Sequence, residues 1–235
     1  MKAIRLSRKT HKWFALVLGI QLFLWALSGF YMVAVNIDII HGDMLVKNME
    51  LGAAKPEAAR LPFKYIGDIY PDASSITLTT MMSRPVYRVD GPDIRVVDAN
   101  TGELLSPLGE NLAADVASFH YSGEGSVQRV TLIESNPPTE LQTRALPLWR
   151  VDFDDVWNST FYIDPDSGEF TVRRHTLWRV FDFLWMLHVM DYEERENINN
   201  SVLRIFSVLG TLMGLSGVWL LFYSFNTGRK QGSTA

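Results

Sequence analysis

Two stretches without a charged side chain constrain this chain more than anything else in it: Trp13 to Val35 and Phe206 to Phe225, 23 and 20 residues long. A hydrocarbon core about 30 Å thick is crossed by roughly 20 apolar residues in a helix, which satisfies its own backbone where no water can. The reading is two transmembrane helices, at 13–35 and 202–225. The first run follows Lys2, Arg5, Arg8, Lys9 and Lys12, as a secretory signal would. Its apolar part exceeds the roughly 7–15 residues of a cleaved signal, however, and no clear Ala-x-Ala site follows Tyr31.

Charge gives the orientation. The five leader cations and Arg229 with Lys230 flank the outer ends of the two runs, so the leader (1–12) and the tail (226–235) are expected in the cytoplasm. Residues 36–200 then form an extracytoplasmic domain. From Asn36 to Ser201 there are 26 acidic and 14 basic residues, a net charge of 14 − 26 = −12. Such a segment is unsuited to nucleic acid and to an anionic surface. The absence of cysteine excludes disulfides, Cys-ligated iron–sulfur clusters, thiolate nucleophiles and Cys-x-x-Cys-His haem attachment.

The outer segment repeats itself. Arg84-Pro85-Val86-Tyr87-Arg88-Val89-Asp90 is echoed 62 residues later by Leu146-Pro147-Leu148-Trp149-Arg150-Val151-Asp152. Asp98-Ala99-Asn100-Thr101-Gly102-Glu103 is echoed 66 residues later by Asp164-Pro165-Asp166-Ser167-Gly168-Glu169, so the second copy carries 66 − 62 = 4 extra residues between its strands. Both copies alternate apolar and polar residues, the period of a strand with one buried face. The Asp-x-x-[Thr/Ser]-Gly-Glu element reads as a tight turn: Asp caps its own backbone, Gly supplies the positive φ, and each copy becomes two strands running into a third. Asp164, Asp166 and Gly168 also suggest a calcium loop, but the later ligands of such a loop are missing. Asn111 to His120 reads as a short helix and Leu177 to Met190 as a longer one. At 14 residues, with Arg179 and Asp182 inside it, the latter should lie at the outer interface.

Taken together, His11-Lys12-Trp13 behind a basic leader, the Leu27-Ser28-Gly29 and Leu215-Ser216-Gly217 steps, the duplicated hairpins and Trp185-Met186-Leu187-His188-Val189-Met190-Asp191-Tyr192 resemble the PepSY-associated transmembrane proteins of bacteria. The resemblance covers nearly the whole chain, although larger members carry four spans. It implies an α+β membrane protein of the bacterial inner (cytoplasmic) membrane. Two transmembrane helices flank an extracytoplasmic domain of two PepSY-like antiparallel β units, at about 60–120 and 125–175, with short helices and an interfacial helix at 177–191. Members include proteins linked to ferric-siderophore reduction, some similar to b-type cytochromes with histidine-ligated haem and some fused to flavin reductase modules. PepSY domains without spans are associated with peptidase propeptides.

With no cysteine and no phosphate-binding glycine loop, the groups suited to a redox centre in or near the membrane are histidines. His188 projects with Leu177, Phe181 and Leu184 from an apolar stripe, opposite His175, Arg179 and Asp182. A buried neutral imidazole needs a partner on each nitrogen: a carbonyl in a plain core, or iron on one side and an acceptor on the other, as the resemblance implies. His41, six residues beyond the first span, is either the second axial ligand of a bis-histidine haem b or a solvated loop residue. His11 shares a helical face with Ala15 and Gly19, small residues that admit a macrocycle or another helix; otherwise it snorkels toward headgroups. His11 and His41 are 30 residues apart, roughly 45 Å of helix, and cannot share an iron. The second span contains no histidine, so a haem at His11 takes its other ligand from a second copy or another subunit of a larger complex. Gly210, Gly214 and Gly217 form a small-residue stripe for close helix packing. Arg173, Arg174 and Arg179 are candidates for haem propionates or for a ring of charge at headgroup level. His120 and His175 read as surface or domain-core residues.

Two functions follow as expectations. One is haem-linked electron transfer or ferric-iron and siderophore reduction, alone or as a subunit, with electrons from a quinol or a partner reductase because nothing here holds NAD or flavin. The other is a non-redox anchored module whose acidic domain binds a peptidase or a respiratory-complex partner. No Gly-x-Ser-x-Gly, His-Glu-x-x-His or paired-carboxylate motif supports a hydrolase.

Overall fold

The computed structural model describes residues 2–47 and 55–231; the side chains of Lys2, Arg5, Arg8, Arg229 and Lys230, on which the orientation rests, lie outside the described residues. The chain forms two compact units, one of the residues up to Asn36 with those from Phe181 onward, the other Ile37–Val180.

The first unit is helical. It contains α1 (Lys2–Ala34), α6 (Ser201–Gln231) and the second half of α5 (Thr176–Val189). In α6, Ser201–Phe222 is long and apolar enough to cross a membrane, while the described apolar stretch of α1 is the shorter Leu18–Ala34. Large apolar side chains point outward along both helices, among them Phe23, Phe30 and Val33 of α1 and Val218, Trp219 and Phe222 of α6. Water would penalise that surface and lipid would not. The expected glycine stripe of α6 partly faces α1: a Cβ on Gly210 would meet Trp25 at 3.9 Å and one on Gly217 would meet His11 at 3.5 Å, whereas Gly214 has nothing within 4 Å.

The second unit carries α2 (Ile37–His41), α3 (Phe63–Ile69), the sheet β1 (Ser75–Met81), β2 (Arg84–Asp90) and β3 (Arg95–Asp98), then α4 (Glu110–His120). A second sheet follows: β4 (Val127–Ile133), β5 (Leu148–Phe153), β6 (Thr160–Ile163) and β7 (Phe170–Arg174). Both sheets are antiparallel meanders. The duplication is visible in their registers. Tyr87 pairs with Val97 and Arg88 with Val96, as Trp149 pairs with Ile163 and Arg150 with Tyr162. Arg88 and Arg150 each reach two residues along their strand, to Asp90 and Asp152, at 2.9 Å.

The repeated turns form as their residues dictate. Asp98 Oδ1 accepts the backbone N–H groups of Asn100 (2.7 Å) and Thr101 (2.9 Å), and Asp164 Oδ1 those of Asp166 (2.8 Å) and Ser167 (3.0 Å). Gly102 and Gly168 sit at φ 77° and 69°, a region a Cβ disfavours. These carboxylates serve their own backbone, which is the turn reading. The copies differ beyond that point: the second turn leads into β7, while the first leads only to a single bridge between Val97 and Leu104. The expected third strand is therefore reduced to one pair in the first copy.

Each sheet covers one helix. Ile66 of α3 packs with Tyr87, Val89, Val97 and Ala99; Val116 and Ala117 of α4 pack with Val151, Phe153, Phe161 and Ile163. The helix α4 follows the first copy in sequence but belongs to the core of the second. The second turn also joins the copies, through an Arg88–Glu169 ion pair and the Leu108 N–H, which donates to the Pro165 carbonyl at 2.7 Å.

Candidate functional site

His188 lies in the last turn of α5, where a helix leaves carbonyls without intrahelical donors. Side chains of the same unit supply the missing donors: Gln21 to the Leu187 carbonyl (3.3 Å), Trp25 Nε1 to that of His188 (2.8 Å) and Asn200 to that of Val189 (2.8 Å). Met190 then leaves the helix at φ 54°. The imidazole is fixed as well. Its Nδ1 is 2.8 Å from Oγ of Ser28, a fully buried residue. Its ring stacks on Trp185 (centroids 6.5 Å apart, 9° between planes) and is tilted against Trp25. The Ser28 hydroxyl in turn donates to the Leu24 carbonyl at 2.8 Å, with that of Trp25 at 3.1 Å.

His11 is held the same way from the other helix. Its Nδ1 is 2.7 Å from Oγ of Ser216, whose hydroxyl donates to the Met213 carbonyl at 2.8 Å. His11 and Ser28 are 28 − 11 = 17 residues apart on α1, so the two imidazoles are seated at levels about 25 Å apart along that helix. Neither Nε2 makes a hydrogen bond among the described residues. Both residues are partly buried.

The remaining histidines lie in the other unit. His41 is exposed at the end of α2; its carbonyl accepts from Arg173 at 2.6 Å, and its side chain borders a shallow cleft with Arg144, Arg173, Arg174 and Trp178. His120 stacks on Phe170, and burial with the nearby Lys47 ammonium pushes its pKa down. His175 is fully buried, with Nε2 3.0 Å from the Ile40 carbonyl. The three arginines weighed for propionates already have partners: Arg173 pairs with Asp43, Arg174 lies over Trp178 at 3.7 Å, and Arg179 pairs with Glu140 at 2.6 Å.

Glu140 is the cluster that sequence reasoning missed. It is nearly buried, accepts from Tyr162 at 2.5 Å and from Arg179, and has Arg150 at 4.0 Å. Burial alone would raise its pKa, but the hydrogen bonds from Arg179 and Tyr162 hold it below the usual carboxylate value. With every oxygen engaged, this group fastens the start of α5 to the second sheet and offers nothing to a ligand. Ser28 and Ser216 were also missed as partners. Their signal was the Leu-Ser-Gly step occurring twice.

A family model described as PepSY-associated TM region matches residues 8–235. The chain belongs to that family of membrane proteins, as the motifs implied. No curated protein and no solved structure matches it.

Proposed function

We propose that this protein is a haem b electron carrier of the bacterial cytoplasmic membrane. In this reading it spans the bilayer twice through α1 and α6, with its acidic domain outside, and passes electrons from a quinol or reductase partner toward ferric iron or a siderophore complex. One observation carries the reading: two imidazoles in one helical unit, each tethered at Nδ1 and each with Nε2 unpartnered. The donor set fits a haem at each of two levels, which His188 and His11 would hold through Nε2. Haem held there would supply one-electron chemistry at potentials set by its ligands and surroundings. The chain's own part is to place the two nitrogens, to keep water away with Trp25, Trp185 and the apolar faces of α1 and α6, and to separate the levels by most of a bilayer's thickness.

A second copy of this chain would supply the other ligand at each level, because His11 and His188 are the histidines of the helical unit. Family membership and the outward apolar surface support the membrane part of the reading.

The test is the absorption spectrum of detergent-purified protein from haem-replete cells, oxidised and then dithionite-reduced, with haem quantified per chain. A Soret band with sharp reduced α and β bands is expected, at about one haem per chain in a dimer. His188→Ala and His11→Ala should each remove about half, and His41→Ala none. A loss in His41→Ala would bring that residue into the ligand set. A colourless protein co-purifying with a stable partner would overturn the haem reading in favour of an anchored binding module.

A further inference from the structure

The Leu-Ser-Gly steps of α1 and α6 remain without a role in the reading above. We propose that each is a device for seating an imidazole in one tautomer: Ser28 and Ser216 accept a hydrogen bond from Nδ1–H of His188 and His11, which leaves Nε2 as a bare lone pair. Serine within a helix commonly turns its hydroxyl back to a carbonyl one turn earlier. Both do so here, Ser28 to Leu24 and Ser216 to Met213, each at 2.8 Å. A hydroxyl has one proton and two lone pairs. With the proton spent on the carbonyl, the oxygen can only accept from an imidazole nitrogen 2.8 or 2.7 Å away, so that nitrogen carries its hydrogen. The opposite assignment would leave two oxygens 2.8 Å apart with no proton between them.

The serines, not the glycines, carry the device: a Cβ on Gly217 would meet His11 Cε1 at an ordinary 3.5 Å, and one on Gly29 would meet nothing within 4 Å. The two steps work in exchange: the serine on α1 holds the histidine carried by α5, and the serine on α6 holds the histidine carried by α1. The same local geometry, reached from different helices at two levels, is hard to ascribe to packing alone. A ligating histidine is oriented and made more basic by an acceptor on its far nitrogen, and here the acceptor is a hydroxyl. Ser28 and Ser216 are thus positioning residues. The proposal rests on the haem reading only for what meets Nε2.

The experiment is ¹⁵N NMR of the full chain, labelled at histidine, in detergent after expression in haem-depleted cells, with His188→Gln and His11→Gln identifying the signals. The expected result is Nδ1–H with bare Nε2 for both histidines. Ser28→Ala should turn His188 into a tautomer mixture and leave His11 unchanged, Ser216→Ala should do the reverse, and Ser28→Thr should restore the wild-type state. An Nε2–H tautomer in the unsubstituted protein overturns the proposal, and this reading stands even where an alanine variant fails to accumulate. An unchanged tautomer in Ser28→Ala overturns it equally. If haem binds, Ser28→Ala should also raise the midpoint potential of the His188 level without removing its haem. A haem-free protein with the expected tautomers would sink the electron-carrier reading and keep this one.

Discussion

Among single residues His175 shows most directly how burial is coupled to protonation. It is 0% exposed, and its Nδ1 has no hydrogen-bond partner among the described residues. Burial lowers its pKa, the Ile40 carbonyl opposes that, the Arg179 charge adds to it, and Asp155 and the Ile39 carbonyl again oppose it. The folded state therefore favours the neutral ring, and the unfolded chain binds the proton first as pH falls. Stability is fully present above the ordinary value of 6.5 and is lost as pH drops below it toward the folded pKa. Thermal melts in detergent between about pH 7.5 and pH 5.5 should show a falling midpoint. His175→Gln, which keeps an N–H for Ile40, should flatten that slope in part, because His120 shifts in the same direction. An unchanged slope in the variant would remove His175 from the account. His188 and His11 stand out in the sequence because a histidine beside an apolar run has few uses. Their serines do not, since a serine inside an apolar run reads as a small packing residue until the partner ring is placed beside it. Glu140 was illegible for another reason: its partners Arg150, Tyr162 and Arg179 come from three separate elements, and only the folded sheet gathers them.

At the scale of elements, the hairpins were the most readable part because their causes are local. Asp98 and Asp164 cap backbone two and three residues on, and Gly102 and Gly168 provide left-handed φ without a Cβ penalty. Gly102→Ala and Gly168→Ala should each cost about 1–2 kcal/mol, mostly from φ, since the atoms a Cβ would meet are ends of the flexible Leu61 and Met81 side chains. Gly67→Ala is the control: inside α3, outside the positive-φ region and with Ile76 at an ordinary 3.8 Å, it should not destabilise the fold. Urea titration of the three variants against wild type checks the ordering, and a Gly67 cost equal to the others would mean that φ is not the cause. What the sequence could not announce is which sheet a helix serves. The apolar face of α4, with Ala113, Val116 and Ala117, suits either sheet, and the seven residues of α3 are too few for a period to show. Tertiary packing decides both, by pairing α3 with the first copy and α4 with the second.

For the whole molecule, the open physical question is sidedness, because the two-span arrangement rests on leader and tail cations on one side and an acidic segment on the other. If α1 and α6 both cross, the chain enters and leaves from the same side and the domain lies on the other, where its negative charge is kept from an anionic inner leaflet. If only α6 crosses, its Ser201–Phe222 stretch carries the anchoring alone, α1 lies along the surface, and its N-terminal end shares a side with the domain. A chain without cysteine allows a clean decision. Glu124→Cys, at an exposed position of the domain, should react with a membrane-impermeant maleimide on intact spheroplasts. Lys9→Cys, exposed near the start of α1, should react only after permeabilisation. The reverse pattern would invert the orientation and place the His11 level outside. Equal labelling of both sites before permeabilisation would leave α6 as the single crossing, and the two imidazole levels could then no longer stand on opposite sides of the bilayer.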